Sequence, residues 1–411
     1  MTQKRINKLK IFNDPIYGFI TIPSPLIFDL IAHPYFQRLR RISQMGLSNL
    51  VYPGANHSRF HHALGCLHLM QRAIKILRDK GVDVSKEEEN AVFIAILLHD
   101  IGHGPYSHAL EHSIVTNTSH EQISLIYMND LNKEFHGELD LAIAIFKGTY
   151  KRQFLNQLIA SQLDIDRLDY LKRDSFYTGV SEGNINSERL ITMLNVRNDL
   201  LVVDQKGIYS VENFLIGRRL MYWQVYLHKT ALIAEKLMIR ILKRARMLLK
   251  IGELPMVEDN FYFFLNSSIS FGEFDKNLLD RFASLDDHDV FYNVKQWCFC
   301  KDKILASLSK SLVERRLPKV KIQSMPFEKN EFLEAQIRLK NDHGLNEEES
   351  SFFLYEGKVE NQAYNTEENQ IKIQFKNGDL KDITEASDHL NLYALSKPVE
   401  KHYFAYARNP F

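Results

Sequence analysis

Three histidines and an aspartate crowd the stretch His99-Asp100-Ile101-Gly102-His103-Gly104-Pro105-Tyr106-Ser107-His108. Before it runs Ala91-Val92-Phe93-Ile94-Ala95-Ile96, which is apolar on every side and therefore reads as a buried helix. That helix delivers His99 and Asp100 into the interior, where an ionised carboxylate without a partner is costly. A divalent cation resolves the cost, because imidazole and carboxylate are both good ligands for it. A lone histidine in such a place is usually a hydrogen-bonded core residue; this density of ligand types favours a site.

Two further stretches carry the same chemistry. Arg59-Phe60-His61-His62 opens a helix expected to run to about Arg78. Asp164-Ile165-Asp166-Arg167-Leu168-Asp169-Tyr170-Leu171-Lys172-Arg173-Asp174 places Asp166, Tyr170 and Asp174 four apart, in one polar stripe on a helix. Acid-rich runs are usually solvated faces, but the tyrosine inside the stripe and its apolar flanks give a pocket-facing role equal weight. A metal site for phosphate chemistry needs neutral imidazoles, one or two carboxylates and open positions for water and substrate. His62, His99, Asp100 and one aspartate of the last stretch can supply it. Asp166 is the expected ligand among them, with Asp164 and Asp169 as alternatives and a helix cap as the bland role for Asp164.

In order, these residues resemble the HD-domain metal-dependent phosphohydrolases, whose pattern is a His, then His-Asp, then a later Asp. Tyr52-Pro53-Gly54-Ala55-Asn56-His57-Ser58-Arg59-Phe60-His61-His62-Ala63-Leu64-Gly65, the His99–His108 stretch, His120-Glu121-Gln122, Asp164–Tyr170 and Tyr226-Leu227-His228-Lys229 are each similar to segments of the deoxynucleoside triphosphate triphosphohydrolases. The resemblance implies metal ligation by His62, His99, Asp100 and Asp166, with Fe, Mn, Zn, Ni or Mg all compatible. It implies catalytic roles for His103, His108 and His120, with Glu111 as the charge partner of His108. Arg59, Arg167, Lys229 and Arg218 become phosphate contacts, Tyr170 and Asp174 sugar contacts, and Gln44 a base contact; Tyr226 joins the substrate set. The reaction implied is attack of water on the α-phosphorus of a dNTP, releasing deoxynucleoside and triphosphate. His61, Glu111, Arg167 and Leu227 depart from the vertebrate pattern, and Leu227 leaves the base preference open. By analogy alone the chain is expected to form a homodimer or homotetramer.

The elements that must position these residues are mostly helical. Ser85-x-x-Glu88 and Ser119-x-x-Gln122 are capping boxes that open helices. A hairpin is expected over Lys10–Ile22, a helix over Tyr35–Met45, a hairpin over Asn195–Tyr209 with its turn at Gln205-Lys206-Gly207, and a long helix from about Val211 to Lys250. Beyond Gly252-Glu253-Leu254-Pro255 short helices give way to strand-like text. The fold class is therefore a mostly α, HD-type helical core over residues 1–253 and a smaller α+β region over 254–411, a candidate for oligomerisation or regulation.

A chain of 411 residues with a formal net charge of +1 has room for one large core and lacks the basic field of a general nucleic-acid binder. Nucleic acid is thus not an indicated partner. The three cysteines, Cys66, Cys298 and Cys300, argue for a reducing cytoplasm rather than a disulfide framework. No apolar run reaches the roughly 18–20 residues of a membrane span. Two other readings compete with dNTP hydrolysis: an HD phosphohydrolase for another nucleotide or phosphoester, and a regulatory protein whose HD site senses nucleotide.

Overall fold

The computed structural model describes residues 10–107, 110, 114–115, 118–255, 257–267, 269, 271–388, 392–407 and 410–411. His108 and Glu111 lie outside them.

Ser85 caps the helix Lys86–Leu98 through the Glu88 amide, and Glu88 reaches back to the Ser85 amide at 2.9 Å, the expected capping box. Residues Ala91 to Leu98 of that helix are buried. It packs between the helices Arg59–Asp79 and Asp140–Phe146, so the apolar run ends at His99 in the middle of the protein. The second box, Ser119 with Gln122, opens His120–Glu134. Asp164 caps Ile165–Thr178, accepting the Arg167 amide at 2.8 Å, and Gly179 ends that helix in the left-handed conformation. Packing of Arg59–Asp79 on Ile165–Thr178 brings the first histidine to the aspartate stripe.

The N-terminal hairpin forms as expected, β1 (Ile11–Asp14) on β2 (Gly18–Thr21). The expected helix over Tyr35–Met45 is cut to Pro34–Gln37, followed by a 3-10 turn Arg38–Arg41. There the fully buried Arg38 donates to the carbonyls of Leu285 and His103 at 2.9 and 2.7 Å. The second hairpin, β3 (Leu194–Arg197) on β4 (Leu200–Asp204), turns at Asn198-Asp199, not at Gln205-Lys206-Gly207. Both turn residues have positive φ, the twist-matched geometry of a two-residue hairpin loop that Asn and Asp tolerate. The expected helix from Val211 to Lys250 is broken as well. Ile208–Met221 passes into one π turn, Tyr222–Tyr226, and restarts as Lys229–Lys250 under a cap from His228. A single π turn displaces side chains from the α register without proline or glycine to announce it, and here it carries Tyr226.

The C-terminal part is α+β. β5 (Lys319–Gln323), β9 (Val399–Tyr406) and β6 (Leu354–Asn361) form one antiparallel sheet, beside the helix Lys329–His343. β7 (Lys372–Gln374) instead joins the second hairpin, parallel to β4, and β8 (Leu380–Asp382) closes that sheet. One apolar core takes in residues from both sides of position 253, among them Leu97, Ile165, Trp297 and Ile373. Among the described residues no helix is long and apolar enough to cross a membrane.

Candidate metal centre

His62 sits on the first turn of Arg59–Asp79, one residue after His61, whose Nδ1 accepts the Ser58 amide at 3.2 Å. Its ring is fixed from behind: Nδ1 donates to Asp169 Oδ2 at 2.7 Å, leaving Nε2 to face Asp166 Oδ1 at 3.0 Å and Asp100 Oδ2 at 3.6 Å. His99 is oriented in the same manner. Its Nδ1 donates to the Ile96 carbonyl at 2.7 Å, and its Nε2 lies 3.5 Å from Asp100 and 3.6 Å from Asp166. That Nε2 is buried and has no hydrogen-bond partner. A buried ring nitrogen without a partner, its tautomer set by the other nitrogen, is the state of an imidazole prepared to bind a cation.

Ligand atoms of His62, His99, Asp166 and Cys66 lie within 4.8 Å of one another, and those of Asp100, His103 and His120 form a second such group. Burial pushes the Asp100 carboxyl up, but His99, Arg59 and His62 beside it outweigh that and hold it well below the usual carboxylate range. Burial pushes the Asp166 carboxyl up as well, but the His62 and His99 imidazoles facing it outweigh that and hold it low. Both carboxylates are therefore anionic. Two imidazole nitrogens and two anionic carboxylates fit a divalent cation in donor chemistry. Burial instead pushes Asp164 up to about 6 against the pull of Arg167. Both its oxygens are engaged locally, by the amides of Arg167 and Ser161 and by the Arg167 guanidinium.

The supporting shell escaped the sequence reading. Asp169 is gripped by Arg173, with Nε to Oδ2 at 2.8 Å and Nη2 to Oδ1 at 3.0 Å, and Arg173 also reaches Asp14 at 2.8 Å. Burial would raise the Asp169 carboxyl, but Arg173 and His62 bring it to about 2. Gly65 makes the grip fit: a Cβ there would stand 2.0 Å from Asp169 Oδ1 and 2.2 Å from Arg173 Nη2. Signals were present in the sequence: a glycine one turn after His62, and Asp169 and Arg173 at i, i+4.

The turn after His99 is tied down by Ser124, which accepts the Gly102 amide at 2.9 Å and donates to the His99 carbonyl at 2.7 Å. The His103 and His120 rings stack with centroids 3.8 Å apart. Arg59, expected on phosphate, pairs with Asp100 and donates from Nε to Ser107 Oγ at 2.7 Å. Tyr106 and Ser107 both hold positive φ, and Asp287 accepts the Tyr106 amide at 2.6 Å.

A cleft of about 610 Å³ opens over this centre, lined by His99, Asp100, Asp166, His120, Arg167 and Arg218 together with Lys147 and the segment around Gln362–Asn369. That volume is in the range of small-molecule sites. The Nε atoms of Arg167 and Arg218 are buried without an acceptor. Tyr170, Asp174 and Tyr226 form a neighbouring polar group. Tyr226 donates to Asp174 Oδ2 at 2.8 Å, His57 meets Oδ1 at 2.7 Å, and Tyr170 packs edge-on to Tyr226. Gln44 and Lys229 do not line the cleft; Gln44 bonds the His57 carbonyl through its amide, and Lys229 is exposed at the start of its helix.

The model of the HD domain matches residues 59–174, and that of an HD-associated region matches residues 185–260. The crystal structure of a phosphohydrolase from Bacteroides thetaiotaomicron superposes with a TM-score of 0.94 at 48% identity, over 98% of this chain and 100% of that one. The uncharacterised protein YwfO of Bacillus subtilis is 35% identical over 82% of this chain and 76% of its own. The deoxynucleoside triphosphate triphosphohydrolase SAMHD1 homologue of Dictyostelium discoideum is 31% identical over 59% of this chain, which spans about half (51%) of that protein.

Proposed function

Starting from the premise that the chain belongs to the HD-domain phosphohydrolases, we propose that it hydrolyses deoxynucleoside triphosphates to deoxynucleoside and inorganic triphosphate. The observation that carries the reading is the juxtaposition of His62, His99, Asp100 and Asp166, the last three lining one cleft with two arginines whose buried Nε atoms lack an acceptor. Those four residues would hold a divalent cation, which when bound would supply positive charge at the phosphate and lower the pKa of a water molecule.

The chain's own groups do the rest. Arg167 and Arg218 bind phosphate oxygens, and Lys147 adds charge at the same cleft wall. Asp174, held by His57 and Tyr226, keeps lone pairs for the 3′-hydroxyl, and Tyr170 packs beneath the 2′-carbon and disfavours ribose. The stacked pair His103 and His120 borders the phosphate path. As the water oxygen bonds to the α-phosphorus and sheds a proton to solvent, the bond to the 5′-oxygen breaks, and His108 gives that oxygen its proton with Glu111 as charge partner. Arg59 acts through Asp100, holding it anionic and aimed. A homodimer or homotetramer is the expected assembly.

The test is product identification. Metal-loaded protein is incubated with each of the four dNTPs, with and without added activator nucleotide, and the products are separated by chromatography. Inorganic triphosphate with deoxynucleoside is the expected result. Only pyrophosphate or orthophosphate would overturn it, and turnover of another phosphoester in the same metal-loaded protein would assign the site to that substrate.

A further inference from the structure

The far wall of the cleft comes from the C-terminal part of the chain, and one buried side chain holds it there. Gln162 is 9% exposed. Its Nε2 donates to the carbonyls of Asn365, Glu368 and Asn369 at 2.6, 2.7 and 3.3 Å, and its Oε1 accepts the Asn365 amide at 2.6 Å. The amide of Gln162 therefore fixes the backbone of the segment that faces the metal centre. Arg218 is tied to the same segment, donating from Nη1 to the Ala363 carbonyl at 3.1 Å while its buried Nε has no acceptor.

The two walls differ in chemistry. Lys147, Arg167 and Arg218 are cationic, with the exposed Glu121 also on the lining; the segment 362–369 presents the amides of Gln362, Asn365 and Asn369 and the exposed carboxylate of Glu368. Within one cleft, then, Arg218 attracts phosphate charge and Glu368 opposes it, and both are tied to the segment that Gln162 fixes. We propose that Gln162 is a positioning residue for polyphosphate length: by clamping residues 363–369 it aims Arg218 at the terminal phosphate and sets Glu368 against a longer chain. This rests on the triphosphate reading of the same cleft.

Inorganic triphosphate and inorganic tetraphosphate, titrated calorimetrically in magnesium buffer, test it without needing turnover. The unaltered protein is expected to prefer triphosphate by about tenfold or more, the effect of one lost or opposed charged contact. Gln162→Met, which keeps the side chain's bulk and removes all four hydrogen bonds, is expected to cut that preference to about threefold or less and to speed proteolysis within 362–369. Glu368→Gln, at an exposed position that folding does not depend on, is expected to narrow the preference by strengthening tetraphosphate alone. An unchanged preference in both variants, or none in the unaltered protein, overturns the proposal. A preserved length preference in a protein that releases only pyrophosphate from dNTPs would sink the triphosphohydrolase reading and leave the role of Gln162 standing.

Discussion

His62 and Asp169 are joined at 2.7 Å through Nδ1 and a carboxylate oxygen, and this bond decides which face of the ring meets Asp166. A second carboxylate behind a metal-binding imidazole fixes its tautomer and raises its basicity. Asp169→Asn removes the charge and keeps the shape. Metal affinity, measured by calorimetry with Mn2+, is expected to fall by about 10–100-fold. Affinity equal to that of the unaltered protein would show that the bond does not orient the ligand.

Asp166 and Asp164 separate by role. Asp166→Ala is expected to lose bound metal and activity together. Asp164→Ala is expected to keep most of both while costing about 1 kcal/mol of stability through the lost cap. Metal analysis by plasma emission on the two purified variants checks this, and the reverse pattern would move the ligand to Asp164.

Gly65→Ala places a methyl group where Asp169 and Arg173 already stand. Backbone and a paired, buried guanidinium cannot both yield, so a loss of about 1–3 kcal/mol is expected, with weaker metal binding in whatever folds. Thermal unfolding with and without Mn2+ measures both; a variant as stable and as metal-responsive as its parent would contradict the packing.

How far the sequence reveals the molecule depends on whether a signal is local. Asp164 as a cap, both capping boxes and the buried run ending at His99 are matters of neighbouring residues, and each forms as expected. The break at Tyr222–Tyr226 was hidden because one extra residue in a helical turn leaves apolar periodicity nearly intact. The pairing of β4 with β7 joins positions about 170 residues apart, and the hydrogen bonds from Gln162 to Asn365, Glu368 and Asn369 join positions 203 to 207 apart. Arg59 looked like a phosphate ligand by its type; only the fold shows Asp100 and Ser107 already in its reach.

Glu235, on the helix Lys229–Lys250, has its carboxyl raised from 4.5 to about 7 by burial, with only Lys236 opposing. Such a group favours the folded state when protonated. Its cost is absent below the ordinary carboxyl pKa, grows as pH rises from 4.5 towards 7, and is constant above that. Glu235→Gln is therefore expected to match the unaltered protein near pH 4.5 and to exceed it by about 3 kcal/mol above pH 7. Urea unfolding across that range reads the difference, and a gap that is flat with pH would contradict it.

The most direct measurement is anomalous diffraction at the manganese edge from crystals soaked in Mn2+. One dominant peak is expected, within about 2.0–2.3 Å of the imidazole nitrogens of His62 and His99 and the carboxylates of Asp100 and Asp166. No peak there, or His62 or Asp166 turned away from it, would contradict the convergence of these four residues on one cation.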